Sequence, residues 1–89
     1  LKLDIRSRTL MIDGKEVFLA AKEFDILQLF LKNKGQVISR EQILDRVWGM
    51  EYYGYDRTVD THIKKLRKAI GDSAKYLQTI YKAGYIWKE

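Results

Sequence analysis

The chain has 89 residues, enough for one domain and too few for two. Hydrophobic residues make up 46% and aromatic residues 12%, which argues against disorder; the lack of cysteine excludes disulfides, cysteine zinc sites and thiol chemistry, and a lone histidine, His62, excludes a His-pair metal site. Seventeen Lys and Arg against twelve Asp and Glu leave a net charge of +5, which favours an anionic partner, and no apolar run reaches the roughly 20 residues of a membrane helix.

Residues 3–19 read as a small antiparallel meander of Leu3–Ile5, Thr9–Ile12 and Glu16–Leu19. Asp13-Gly14 joins the last two as a two-residue turn that needs positive φ at both positions. From Ala21 the period changes. Phe24, Leu27, Phe30 and Leu31 recur at helical spacing, Ile26 and Leu29 widen the stripe, and Gly35 is expected to stop the helix as its C′ residue. Gln36-Val37-Ile38 is a short extended link. Ser39 and Gln42 then form a capping box that opens a second, short helix with Ile43, Leu44, Val47 and Trp48 on its apolar face. Gly49 to Asp56 reads as a loop rich in tyrosine. A third helix starts near Arg57 and is stopped by Gly71, with Val59, Ile63, Leu66 and Ile70 within about 60° of one another on a helical wheel. Tyr76–Tyr81 and Gly84–Trp87 alternate as strands around Lys82-Ala83, a type I turn with Gly84 in the left-handed position of a G1 bulge. There is no repeat and no proline. This order predicts an α+β fold, a winged helix-turn-helix with an N-terminal short antiparallel sheet, three helices and a C-terminal β-hairpin wing.

Charge is unevenly placed. Residues 57–89 hold eight basic and three acidic side chains, a balance of +5 that equals the net charge of the whole chain. A basic run is most often a solvated helix face, so shape matters. Opposite the buried stripe of the third helix lie Arg57, Thr58, Thr61, Lys64, Lys65 and Lys68, with no acid and no bulky aromatic. Slim residues allow a helix into the major groove, cations reach guanine or phosphate, and threonine can touch a thymine methyl. Asp60, on the flank, is expected to pair within the helix with Lys64. Arg67 shares that flank and suits either phosphate or structure. His62, on the other flank, reads as a hydrogen-bonding residue, since no nucleophile or orienting acid lies near it in sequence. No enzymatic activity, metal or cofactor is expected.

The run Arg57-Thr58-Val59-Asp60-Thr61-His62-Ile63-Lys64-Lys65-Leu66-Arg67-Lys68-Ala69-Ile70 closely resembles the recognition-helix signature of OmpR/PhoB-type response-regulator effector domains. Residues 19–27 resemble the start of that family's first helix, residues 37–44 with Val47-Trp48-Gly49 its second helix and exit, and residues 77–85 its wing. The likeness spans essentially the whole chain. It implies a bacterial, cytoplasmic transcription regulator in which residues 1–89 form a single effector domain. A receiver domain, phosphorylated by a sensor kinase, would lie outside this chain, which begins at Leu1 and reads as a piece of something longer. The implied partner is double-stranded DNA, bound at repeated half-sites by copies that are monomeric in solution and paired on DNA.

Carried over by position, Thr58, Thr61 and Lys65 would meet bases. Arg57, His62, Lys64, Arg67, Trp48 and Thr79 would meet the backbone or the groove rim. Lys68 completes the basic face, and the wing would bring Tyr81 and Lys82 beside the minor groove. Met50, Glu51, Tyr52, Tyr53 and Tyr55 fall in the loop with which the family contacts RNA polymerase. The chain departs from the family pattern in three places: Ala20 stands at the usual threonine N-cap, Tyr81 and Lys82 replace the common wing arginine and glycine, and Lys64 and Lys65 stand where arginines are frequent. Lysine lacks the planar fork for bidentate guanine reading, so softer base specificity is expected. The rival reading is a winged-helix protein-interaction module using the wing and the tyrosine loop, whose rings would either form an exposed patch or brace the domain. Trp48 is expected half in the core and half on the rim, and Tyr85 and Trp87 in the sheet core.

Overall fold

A computed structural model describes residues 1–49 and 57–89, with the backbone alone at Arg57. Strands β1 (Lys2–Asp4), β2 (Thr9–Ile12) and β3 (Lys15–Val17) form an antiparallel meander. Helix α1 spans Ala21–Lys32; α2, Arg40–Ile43, runs into a wider π-type turn over Leu44–Trp48; α3 spans Arg57–Ile70. A 3-10 turn, Gly71–Tyr76, leads into the hairpin of β4 (Leu77–Ile80) and β5 (Gly84–Trp87). The expected α+β winged-helix architecture is therefore present.

Local chemistry explains both the agreements and the corrections. Asp13 and Gly14 take φ of 50° and 77°, the pair of positive values that the two-residue turn demands. β1 stops at Asp4, one residue short of expectation. The Asp4 carboxylate accepts the N–H groups of Arg6 (3.0 Å) and Ser7 (3.2 Å), closing a turn that leaves Ile5 outside the sheet. β3 starts one residue early and ends at Val17, so Phe18 points to solvent and is 86% exposed.

Helix α1 ends before Gly35. Asn33 caps it, its side-chain amide donating to Leu29 O (2.7 Å), and Gly35 at φ 80° turns the chain so that its N–H reaches Trp87 O (2.8 Å). The link is more than a spacer, because Ile38 and Tyr85 exchange both backbone hydrogen bonds and add a bridge to the wing. The capping box forms as expected, with the Ser39 hydroxyl accepting Gln42 N–H (3.1 Å) and the Gln42 side chain accepting Ser39 N–H (2.9 Å).

Helix α3 matches its expected span, and Val59, Ile63, Leu66 and Ile70 are at most 2% exposed. They meet Leu27 and Phe30 of α1, Ile43 of α2, Leu10 of β2, and Leu77 and Trp87 of the wing in one core. Tyr85 and Trp87 are buried, as expected of sheet core.

The wing turn is corrected. Ala83 N–H bonds Ile80 O (3.0 Å), and the left-handed residue is Lys82 at φ 60°, as the third residue of a type II turn requires. Gly84 sits at φ 135° and is needed for a different reason: a Cβ there would collide with the backbone of Ile38 and Ser39.

Candidate nucleic-acid interface

One face of α3 is directed to solvent. Thr61, Lys64, Lys65 and Lys68 are exposed and Thr58 is half-buried on the first turn. The wing presents a second exposed group at its turn. Tyr81 is 84% exposed and Lys82 holds its ammonium 5.4 Å from the Tyr81 ring centre. Together these make an exposed basic face on α3 and a wing tip that carries one lysine.

Several predicted contacts are also tied into the fold. His62 Nδ1 hydrogen-bonds the Glu23 carboxylate at 3.0 Å, and its ring lies 5.1 Å from that of Trp48. Trp48 is half-buried, and Lys22, 5.4 Å from its ring, donates to Val47 O (3.2 Å). Arg67 donates to Leu77 O through Nε (3.1 Å) and a terminal nitrogen (2.7 Å), and to Thr79 Oγ1 (2.9 Å). These contacts join α3 to α1 and to the wing. Met50, Glu51, Tyr52, Tyr53 and Tyr55, with the Arg57 side chain, lie outside the described residues.

Asp60 is not the partner of Lys64. Its Oδ1 accepts from Arg40 Nε at 2.8 Å and from the Tyr85 hydroxyl, so it joins α2, α3 and the wing. Burial alone would raise the Asp60 carboxyl, but the hydrogen bonds from Tyr85 and Arg40 outweigh it and hold the group below its ordinary range. The bond to Asp60 raises Arg40, and burial, then the carboxylate beside it, raises Tyr85.

Sequence reasoning missed Arg40, Asp60 and Tyr85 as a unit, because Arg40 and Asp60 stand twenty residues apart and no local pattern links them. It also missed Glu23, which is 6% exposed. A signal was there: Glu23 precedes Ile26, Leu27 and Phe30 by three, four and seven residues and so shares their buried face.

The model of the family described as "Transcriptional regulatory protein, C terminal" matches residues 14–87. The chain belongs to that family. It is a family of transcription regulators rather than of enzymes, and its winged-helix effector domains are of the OmpR/PhoB type. An uncharacterized transcriptional regulatory protein of Bacillus subtilis, YclJ, is 44% identical over 86 residues, covering 94% of this chain and 38% of its own length. The crystal structure of the response regulator DrrB, a Thermotoga maritima OmpR/PhoB homologue, is 38% identical with a TM-score of 0.88, over 98% of this chain and 41% of that one. The RstA DNA-binding domain of Klebsiella pneumoniae, solved in complex with the RstA box, is 32% identical with a TM-score of 0.86, over 97% and 88%. The chain thus spans about two fifths of the length of YclJ. Among its described residues, no helix is long and apolar enough to cross a membrane.

Proposed function

We propose that this effector domain binds double-stranded DNA sequence-specifically and controls transcription as the output of a two-component response regulator. The observation that carries this reading is the solvent face of α3, where Thr61, Lys64, Lys65 and Lys68 stand exposed, with Tyr81 and Lys82 exposed at the wing tip. Asp60, the one acid within the α3 sequence, is engaged by Arg40 and Tyr85. Thr58, Thr61 and Lys65 read bases; Lys64 and Lys68 hold phosphates; Tyr81 and Lys82 lie along the minor groove. Arg57, Trp48, His62, Arg67 and Thr79 contact the backbone at the edges of this surface, the last four from the positions fixed by their internal partners.

The rest of the reading rests on family membership. Residues 1–89 act as one effector unit in a longer bacterial, cytoplasmic protein whose receiver domain is phosphorylated by a sensor kinase. Copies are monomeric in solution and pair on half-sites spaced about one helical turn apart. The segment from Met50 through Glu51, Tyr52 and Tyr53 to Tyr55 contacts RNA polymerase.

Selection of sites from random duplex DNA, followed by titration of the selected site at several salt concentrations, tests the central claim. A few enriched sequences and a log affinity that falls linearly with log salt, by about 0.9 per phosphate contact, are expected. No enrichment, with weak binding indifferent to salt, would favour a protein-interaction module.

A further inference from the structure

We infer that Tyr85, together with Asp60 and Arg40, is a positioning device that aims the wing tip at DNA relative to α3. The inference rests on the DNA-binding reading above and adds to it three residues, none of which needs to touch nucleic acid.

The hairpin is held at its two ends by different forces. At its base, Leu77 pairs with Trp87 and both are buried in the core. Two rungs on, Thr79 pairs with Tyr85, one rung below the tip. There the Tyr85 ring is buried in the same core, and polar contacts are added to it. The Tyr85 hydroxyl and Arg40 Nε both donate to Asp60 Oδ1. The guanidinium carbons of Arg40 and Arg67 lie 5.1 and 5.6 Å from the Tyr85 ring centre. Arg67 also holds Thr79, and the Tyr85 backbone exchanges hydrogen bonds of 3.0 and 2.8 Å with Ile38. The rung below the tip is thus tied at once to the link, α2 and α3.

Stability alone is a weak reason for such a junction, since the Arg40 and Asp60 side chains are 30% and 45% exposed and ion pairs open to solvent contribute little. Hydrogen bonds differ from apolar contacts in being directional. A hairpin pinned only at its base is free to swing at its tip, whereas this one has its next-to-last rung, Thr79–Tyr85, tied to the helix that carries Thr61, Lys64 and Lys65. The exposed Tyr81 and Lys82 are thereby held at a fixed span from that face.

The test is a double-mutant cycle on a duplex selected with the wild-type chain. Tyr85→Phe keeps the ring and loses the hydroxyl; Lys82→Ala removes the tip cation. Each single variant is expected to weaken binding several-fold and to lower the salt slope by about one. The double variant is expected to bind no more weakly than the weaker single, because an unaimed wing has no grip left to lose. Groove-specific footprints of Tyr85→Phe should lose the minor-groove protection at the wing and keep guanine N7 protection under α3. Asp60→Asn, which keeps an acceptor for both donors but loses the charge that faces Arg40, is expected to weaken binding less than Tyr85→Phe does. Thermal melting tracks folding, and Arg40→Gln, which leaves the Tyr85 ring in place, is expected to repeat the pattern of Tyr85→Phe if that variant does not fold. Wild-type affinity in Tyr85→Phe, multiplicative losses in the double variant, or loss of both footprints together would overturn the inference while leaving the DNA-binding reading intact. A wild-type chain with no salt-dependent duplex binding would overturn both.

Discussion

Lys82 and Gly84 show how two neighbouring residues answer to different constraints. Lys82 takes φ 60° with a side chain that gains nothing from that conformation except its position over Tyr81. Lys82→Gly is expected to raise stability modestly in thermal unfolding, because relief of roughly 1–2 kcal/mol of left-handed strain exceeds the roughly 0.4–1 kcal/mol by which glycine loosens the unfolded chain. The same change should weaken duplex binding by removing a cation, so stability and affinity would move in opposite directions. On α3, the adjacent exposed lysines are expected to differ. Lys64→Ala should weaken all duplexes alike and flatten the salt slope by about one, while Lys65→Ala should relax preference at one base position at a cost of roughly 1–3 kcal/mol. Binding measured across a panel of single-base variants at two salt concentrations separates these; a base-specific effect from Lys64 would reverse the assignment.

At the scale of elements, the ends of helices carry the clearest expectations. Ala20 is the N-cap of α1, with extended φ and ψ of −64° and 160°, and offers no side-chain acceptor to the free N–H groups of the first turn. Ala20→Thr is expected to add about 0.5–2 kcal/mol of stability in denaturant unfolding without altering DNA affinity. The junction of α2, α3 and the wing makes a pH prediction. The Asp60 carboxyl is held below its ordinary value, so its contribution is present in full above about pH 4 and is lost as pH falls through the folded value. The Asp60 side chain is 45% exposed, so solvent screening keeps the effect modest. The melting temperature of wild type should exceed that of Asp60→Asn near neutrality, and the gap should close in acid. A gap constant with pH would show that the carboxylate charge does not matter.

Across the whole molecule, what the sequence revealed and what it concealed divide by distance along the chain. The Asp-Gly turn, the capping box, the buried stripe of α3 and its arrest at Gly71 rest on neighbours within four residues, and each formed as expected. The exposed lysines of α3 were equally legible, since a helical wheel fixes them once the stripe is known. Contacts that close the fold were not. The Ile38–Tyr85 bridge, the Glu23–His62 tie and the Asp60 junction each join segments far apart, and periodicity carries no information about such pairs. The error at Gly84 has the same origin: a glycine read as a local turn residue is there because the distant backbone of Ile38 and Ser39 passes against it.

The pairing of strands also bears on how quickly this chain finds its shape. β1, β2 and β3 pair in sequence order, as do β4 and β5, so most of the sheet forms by closing short loops. The bridge between Ile38 and Tyr85 is the longer closure, and it cannot form until both hairpin and link exist. With no proline in the chain, no prolyl isomerisation delays the search. Stopped-flow refolding is expected to be a single exponential on the order of milliseconds with no phase of tens of seconds. In pulse-labelled hydrogen exchange, amides of the meander should gain protection first, and those of Ile38 and Tyr85 last.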